Sequence, residues 1–264
     1  MPDKEVSYPV VNGIPSFVNK ADDSWGDEVV VAREFRKYNA KKETVIADNY
    51  QATLREWNKE HALYPWVQKI AEHSGLILEI ACGWGGGFAP QILNHNPKAN
   101  ILMNDLGLIV LQEWQSFSNK INKWPNLCFA HFDATKCPIA SGSLDGIDSS
   151  GGIANIAGSH LAIKEAFRIL RPGGKLFMAD MDIDPESFAQ FPQEVQNKWR
   201  SDNNDPYVGL GYESRLAEAG FKIITLETRQ SSLDPKESTI AELAAKHGFI
   251  LKTVGFKIEA QKPR

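Results

Sequence analysis

The stretch Leu78-Glu79-Ile80-Ala81-Cys82-Gly83-Trp84-Gly85-Gly86-Gly87 decides the fold of this chain. It belongs to a short apolar run, residues 76–81, that breaks into glycines. A short apolar run before a glycine-rich turn is typical of a buried parallel strand. Glycine permits backbone angles that other residues avoid, and it lets a ligand approach the main chain closely. The carboxyl end of such a strand is where open α/β sheets bind ligands.

Apolar runs and helical stretches alternate from this turn onward. The runs predict strands near residues 76–81, 100–105, 127–132, 144–149 and 175–180. Apolar residues at helical spacing predict helices near residues 86–94, 108–122 and 159–170. Elements that alternate in this way form right-handed crossovers around an open parallel sheet. The predicted class is therefore a doubly wound, Rossmann-like α/β fold.

The end of the chain completes the predicted sheet. Two more strands are expected near residues 221–229 and 249–260, with a helix over residues 234–246 between them. We expect these strands to pair as an antiparallel hairpin with a long loop. The sheet then has seven strands in the order 3-2-1-4-5-7-6, and strand 7 is antiparallel.

The beginning of the chain has a different pattern. Residues 1–24 are rich in proline and lack helical spacing, so we expect an extended arm. Helices are predicted over residues 27–40, 42–61 and 66–73. We therefore divide the chain into an arm with a helical cap, residues 1–65, and an α/β domain, residues 66–264.

A dinucleotide site can be tested on the glycine turn itself. The NAD fingerprint requires the pattern G-x-G-x-x-G. Counting from Gly83, the sixth position is Phe88, and counting from Gly85 it is Pro90. Neither register supplies the third glycine, so the sequence does not favour a dinucleotide enzyme.

Acidic residues follow the second and third predicted strands. Asp105 ends the second strand, where a carboxylate can accept hydrogen bonds from both hydroxyls of a ribose. The alternative is that Asp105 caps the following helix. Asp133 and Ala134 follow the third strand, where they could meet the exocyclic amine of an adenine, although an isolated Asp at a loop start would mean little.

Composition and charge exclude several functions. The 264 residues carry a formal net charge of −4, and basic residues are scattered among acids. A nucleic-acid enzyme normally presents a basic surface, so a small-molecule substrate is favoured. We predict no membrane span and a cytoplasmic location. Cysteine and histidine do not cluster at ligand spacing, so no metal site is expected. Three buried free thiols are predicted: Cys82, Cys128 and Cys137.

The order and spacing of these motifs resemble class I methyltransferases that depend on S-adenosylmethionine, especially small-molecule enzymes of the ubiquinone/menaquinone-biosynthesis type. The resemblance covers residues 76–180 well and the last two strands loosely. It implies S-adenosylmethionine as cofactor, S-adenosylhomocysteine as product and a small-molecule acceptor. The cofactor contacts that it implies are Glu79, Ala81, Cys82, Gly83, Gly85, Asp105, Leu106, Asp133, Ala134 and Ser149.

The resemblance also assigns roles to some of these residues. Glu79 would orient the glycine loop and meet the methionine ammonium. Asp105 would bind the ribose, and Asp133 with Ala134 would hold the adenine. Ser149 would begin the loop that faces the sulfonium.

The chain departs from the family pattern at several positions. Trp84 stands where a small residue is usual, and Ala81 stands where glycine is usual. The loop after the fourth strand, residues 148–151, lacks the Asp/Asn-Pro-Pro-Tyr/Phe motif of nucleic-acid amine methyltransferases. The arm, residues 8–18, resembles the end of a zinc-ribbon-like segment but lacks its cysteines, so metal binding is not carried over.

Methyl transfer from a sulfonium places few demands on catalytic side chains, because the leaving group is already activated and the protein mainly aligns the reactants and excludes water. His160 is the best-placed candidate base, with a structural or solvent-facing histidine as the alternative. Tyr50, Trp84 and Tyr207 are candidates for covering the substrate. Two other functions stay open: a protein or nucleic-acid methyltransferase, and a non-catalytic module that binds S-adenosylmethionine.

Overall fold

A computed structural model describes residues 7–18, 45–56, 61–73, 75–202, 208–209, 211–236 and 238–264. The first described segment is a hairpin of β1 (Val10–Val11) and β2 (Ile14–Pro15). Between them Asn12 and Gly13 have φ angles of 50° and 83°, as a tight two-residue hairpin turn requires. The part of the predicted arm that is described is therefore a hairpin.

The remaining elements follow in chain order. They are α1 (Val45–Glu56), α2 (Tyr64–Ala71), β3 (Leu76–Glu79), α3 (Ala89–His95), β4 (Asn100–Asp105), α4 (Leu108–Ile121), β5 (Leu127–His131), β6 (Leu144–Ser150), α5 (Ser159–Ile169), β7 (Leu170–Ile183), α6 (Pro185–Phe188), α7 (Gln193–Asp202), α8 (Tyr212–Ala219), β8 (Lys222–Ser232), α9 (Thr239–Lys246) and β9 (Lys252–Gln261). Short 3₁₀ turns lie at Ala134–Lys136 and Ile153–Asn155.

Seven of these strands form one sheet in the order β5-β4-β3-β6-β7-β9-β8. Neighbouring strands from β5 to β7 are parallel, while β9 runs antiparallel to both β7 and β8. Numbered along the chain, this is the order 3-2-1-4-5-7-6 with the last strand antiparallel. The predicted fold is therefore confirmed.

Some predicted bounds were wrong. β7 covers 14 residues, well beyond the predicted 175–180, because Leu170 pairs with Leu144 of β6 at its start and β9 pairs with it from Lys175 to Ile183. α3 begins at Ala89, three residues later than predicted, since the glycine turn occupies residues 83–88. The region after the fifth strand contains two helices, α6 and α7, that the sequence did not predict. The predicted helix over residues 27–40 lies outside the described residues.

The core lies on both faces of the sheet, because successive side chains of a strand point to opposite sides. In β3, Ile77 belongs to the cluster that packs under α1 to α4, and Leu78 belongs to the cluster under α5 and α8. This packing fixes β3 in the middle of the sheet and leaves the turn after Glu79 at its carboxyl edge. No helix in the described parts of the chain is long and apolar enough to cross a membrane.

Candidate active site

Glu79 lies directly beneath the glycine turn. The side chain is fully buried, and its Oε2 accepts hydrogen bonds from the backbone N–H groups of Phe88 (2.7 Å) and Ala89 (3.2 Å) at the start of α3. Gly87 packs onto this carboxyl: it has φ 59°, and a Cβ there would lie 2.0 Å from Oε1 of Glu79. Glu79 therefore orients the loop, the first of the two roles that the resemblance gives it.

The turn itself has an unusual backbone. Ala81 has φ 53° and Gly83 has φ 55°. For alanine this left-handed conformation costs about 1–2 kcal/mol, and such strain is common at functional sites. The Trp114 indole N–H donates to the Gly83 carbonyl (3.0 Å), which holds the strained turn in place. Apart from the adjacent residues, no atom of the described residues comes within 4 Å of a Cβ built on Gly83 or Gly85, so this side of the turn is open within the part of the chain that the structure describes.

Asp105 joins the second strand to the glycine turn. Its Oδ2 accepts from the Gly83 N–H (2.7 Å), and its Oδ1 accepts from the Gly107 N–H (2.8 Å). Burial raises the pKa of this carboxyl, although the two N–H groups favour its charged form. Each carboxylate oxygen can accept more than one hydrogen bond. The carboxylate thus orders the loop before α4 and keeps acceptor capacity for vicinal hydroxyls.

Two further residues assigned to the cofactor have structural partners. Oδ1 of Asp133 accepts from the backbone N–H (2.8 Å) and hydroxyl (2.7 Å) of Thr135, so Asp133 caps the short turn that buries Ala134. Cys82 is buried 4.0 Å from Oδ2 of Asp105. Burial, and then the charges of Asp105 and Glu79, raise the pKa of its thiol well above the ordinary value, which keeps it protonated.

Asp148 of β6 is the register neighbour of Glu79, and it is fully buried as well. Burial raises the pKa of Asp148 to about 7. The pKa of Glu79 is raised well above its ordinary value, by burial first and then by Asp148. Two buried carboxyl groups side by side cannot both ionise readily, so each disfavours the charged form of the other.

The loop after β6 rests on the glycine turn. The Ser149 hydroxyl donates to the Ile80 carbonyl (3.1 Å). A Cβ on Gly152 would lie 2.7 Å from the Ile80 carbonyl oxygen and 2.8 Å from that of Ala81, so only glycine allows this approach. The structure thus brings Ser149 against the same turn as Glu79 and Asp105.

Asp180 of β7 was missed by sequence reasoning. Its Oδ2 accepts from the backbone N–H of Ala154 (2.9 Å), in the loop that follows Ser149, and from the hydroxyl of Tyr212 (3.0 Å). Burial raises the pKa of Asp180 to about 6. Its position near the carboxyl end of a parallel strand, like that of Asp105, was the available signal.

The candidate base and covering residues have different surroundings. His160 is exposed on the first turn of α5. Tyr50 is 4% exposed, donates to Oδ1 of Asn94 (2.7 Å) and packs edge-on against Phe117 and Trp124. Trp84 is buried in the same cluster. These contacts are those of core residues, and the covering role of both stays a prediction. Tyr207 lies outside the described residues.

The described residues include all three cysteines. All three are free thiols; Cys82 and Cys137 are buried as predicted, whereas Cys128 is exposed, so the predicted burial was wrong there. Within the residues that the structure describes, no group of three or more His, Cys, Asp or Glu side chains is placed to hold a metal ion.

Comparisons with known proteins agree with this geometry. Residues 78–178 match a family described as a methyltransferase domain. Over 139 residues the chain is 26% identical to the ubiquinone/menaquinone biosynthesis C-methyltransferase UbiE of Rickettsia bellii (strain OSU 85-389), an alignment that covers 52% of this chain and 54% of that protein. The chain thus spans about half the length of this curated relative. The family match confirms the resemblance that the motifs predicted.

Solved structures share the fold. The YcgJ protein of Bacillus subtilis has a TM-score of 0.59 at 14% identity, over 76% of this chain and 97% of that one. Geranyl diphosphate C-methyltransferase of Streptomyces coelicolor A3(2), solved with Mg²⁺, geranyl diphosphate and S-adenosyl-L-homocysteine, has a TM-score of 0.54 at 12% identity, over 78% of this chain and 86% of that one. At these identities the likeness shows the fold alone.

Proposed function

Because residues 78–178 carry the methyltransferase domain of the class I fold, we propose that this protein transfers a methyl group from S-adenosylmethionine to a small-molecule acceptor. The observation that carries the proposal is the hydrogen bond between the Asp105 carboxylate and the Gly83 N–H of the glycine turn. One carboxylate holds the Gly83 and Gly107 N–H groups, at the edge where open α/β sheets bind ligands. Among the described residues, the space beside Gly83 and Gly85 is open.

The bound cofactor would supply an activated methyl group, so the residues of this chain have three tasks: to bind, to orient and to exclude water. Asp105 would accept the ribose hydroxyls, and Asp133 with Ala134 would border the adenine. Glu79 holds the turn from below by capping α3. The Ser149 hydroxyl donates to the Ile80 carbonyl and holds the following loop against that turn. This loop would form the bottom of the acceptor site.

Deprotonation of the acceptor depends on which atom is methylated. A base is required only when the nucleophile must lose its proton early. His160 is exposed near the start of α5, within reach of solvent. Asp180, with its raised pKa of about 6, contacts the loop after β6 but is already bonded to Ala154 and Tyr212. We therefore assign Asp180 to positioning the loop and retain His160 as the candidate base.

A small-molecule acceptor is favoured by two facts. The chain has a net charge of −4, which does not favour a polyanion such as nucleic acid. The name of one similar protein, a ubiquinone/menaquinone biosynthesis C-methyltransferase, states small-molecule chemistry. The alternatives are a protein or nucleic-acid methyltransferase, and a non-catalytic module that binds the cofactor.

The test is a transfer assay with methyl-labelled S-adenosylmethionine. The purified protein is incubated with a cell extract that has been separated into metabolite, protein and nucleic-acid fractions. We expect label in the metabolite fraction, lost when Asp105→Ala replaces the wild type. Label in protein or nucleic acid would support the first alternative. Cofactor binding without transfer to any fraction would support the second.

A further inference from the structure

His131 links the N-terminal hairpin to the loop that follows β4. It is the last residue of β5 and the register neighbour of Asp105, and its ring is 5% exposed. Its Nδ1 lies 2.7 Å from the Ser16 hydroxyl, and its Nε2 lies 2.9 Å from the Leu106 carbonyl oxygen. The ring therefore bridges two segments that are far apart in the sequence.

The partners of His131 fix its tautomer. A carbonyl oxygen can only accept a hydrogen bond, so Nε2 must carry the hydrogen that is donated to Leu106. In the neutral ring Nδ1 then has a lone pair, and it accepts the hydroxyl hydrogen of Ser16. The hydroxyl thus selects the tautomer that donates to the loop.

The hydrogen bond from His131 to Leu106 is coupled to Asp105 through one rigid peptide group. The Leu106 carbonyl and the Gly107 N–H belong to the same planar peptide group. That N–H donates to Oδ1 of Asp105 (2.8 Å), and Oδ2 of Asp105 holds the Gly83 N–H (2.7 Å). Without the hydrogen bond from His131, this peptide group would tilt and move the Gly107 N–H away from the Asp105 carboxylate.

The N-terminal hairpin is packed firmly against the core, so it can hold this series of hydrogen bonds in place. Ile14 is fully buried in the core, and Ser16 is 5% exposed. The backbone N–H of Phe17 donates to the His131 carbonyl (2.8 Å), and Ser16 forms a parallel bridge with His131. Main chain and side chain therefore hold the end of β5 at the same point.

We infer that Ser16 and His131 are positioning residues for the cofactor's ribose, and that they act through the Leu106–Gly107 peptide on Asp105. The hairpin is then part of the cofactor site, although it lies outside the matched residues 78–178. The inference rests on the proposed function, because it concerns the affinity for an adenosine-bearing cofactor.

The test measures S-adenosylhomocysteine binding by titration calorimetry at a temperature well below every variant's melting point. Ser16→Ala is expected to weaken binding by about three- to tenfold, and His131→Phe by about ten- to fiftyfold, since each removes a buried hydrogen bond in the series. Ser16→Thr keeps the hydroxyl and should restore affinity. Val10→Ser is the matched control, because Val10 is an exposed hairpin residue outside the series of hydrogen bonds.

Nitrogen NMR of the imidazole tests the tautomer on which the inference depends, while the affinity for S-adenosylhomocysteine separates a positioning role from a merely structural one. The wild-type spectrum should show the hydrogen of His131 on Nε2. The hydrogen on Nδ1 would overturn the inference. So would wild-type affinity in both Ser16→Ala and His131→Phe, whatever their melting temperatures. If His131→Phe does not fold, the affinities of Ser16→Ala and Ser16→Thr for S-adenosylhomocysteine test the inference by themselves. A wild type that does not bind S-adenosylhomocysteine would overturn the proposed function, and the inference with it.

Discussion

Replacing Glu79 with alanine should destabilise the whole α/β domain through the start of α3. Glu79 is fully buried, and its Oε2 accepts the N–H groups of Phe88 and Ala89. The Ala89 N–H also reaches the Gly86 carbonyl (3.2 Å), so it keeps a partner in the variant. The Phe88 N–H loses its acceptor, at a cost of about 1–3 kcal/mol. The cavity left by the side chain raises the expected loss of unfolding free energy to about 2–4 kcal/mol.

The assay is thermal unfolding followed by circular dichroism. For a domain of this size the expected loss lowers the melting temperature by roughly 5–15 °C. Glu79→Gln is the control, since its amide oxygen can accept from Phe88 and its N–H₂ group can donate to Asp148. It should cost less than about 1 kcal/mol. The reasoning is refuted if Glu79→Ala melts with the wild type, or if Glu79→Gln is as unstable as Glu79→Ala.

Three other predictions concern the turn and the loop after β6. Gly87→Ala should lose cofactor binding and stability, because its Cβ would lie 2.0 Å from the Glu79 carboxyl. Gly142→Ala is the control, since Gly142 has a similar positive φ but no described atom near its Cβ; its unfolding free energy, followed by thermal melting, should fall by only about 1–2 kcal/mol. The pKa of Asp180 is raised to about 6, so its contribution to stability is present below its ordinary pKa and is lost as pH rises through 6. The melting temperature of Asp180→Asn should therefore rise relative to the wild type between about pH 4 and about pH 7.5; a gap that does not change with pH would contradict this. Tyr212→Phe removes a hydrogen bond to Asp180 and should destabilise the fold by about 1 kcal/mol in denaturant unfolding, whereas no effect would mean that Tyr212 contributes by packing alone.

The strand order could be predicted because each apolar run and each turn is local in the sequence. The length of β7 could not, since it depends on β9 pairing across about 80 residues. The Asn12-Gly13 pair was a hairpin signal that the proline-rich arm obscured.

The acids at the strand ends could be placed from the sequence, but their partners could not. Asp105 was expected at the carboxyl edge, yet its bonds to Gly83 and Gly107 depend on how two loops meet in space. The Ser16–His131 contact joins residues that are 115 positions apart, and no local pattern marks it. Asp180 was missed for the same reason, because its partners come from the loop after β6 and from α8.

Cofactor binding tests the central claim most directly. Titration calorimetry of S-adenosylhomocysteine into the wild-type protein should show a single binding event. Asp105→Ala should weaken it by about 10- to 100-fold, the loss that corresponds to about one charge-assisted hydrogen bond to a ribose hydroxyl, and Asp105→Asn should be milder. If the wild type gives no binding, or if Asp105→Ala loses melting temperature but keeps full affinity, the cofactor site assigned to this edge of the sheet is wrong.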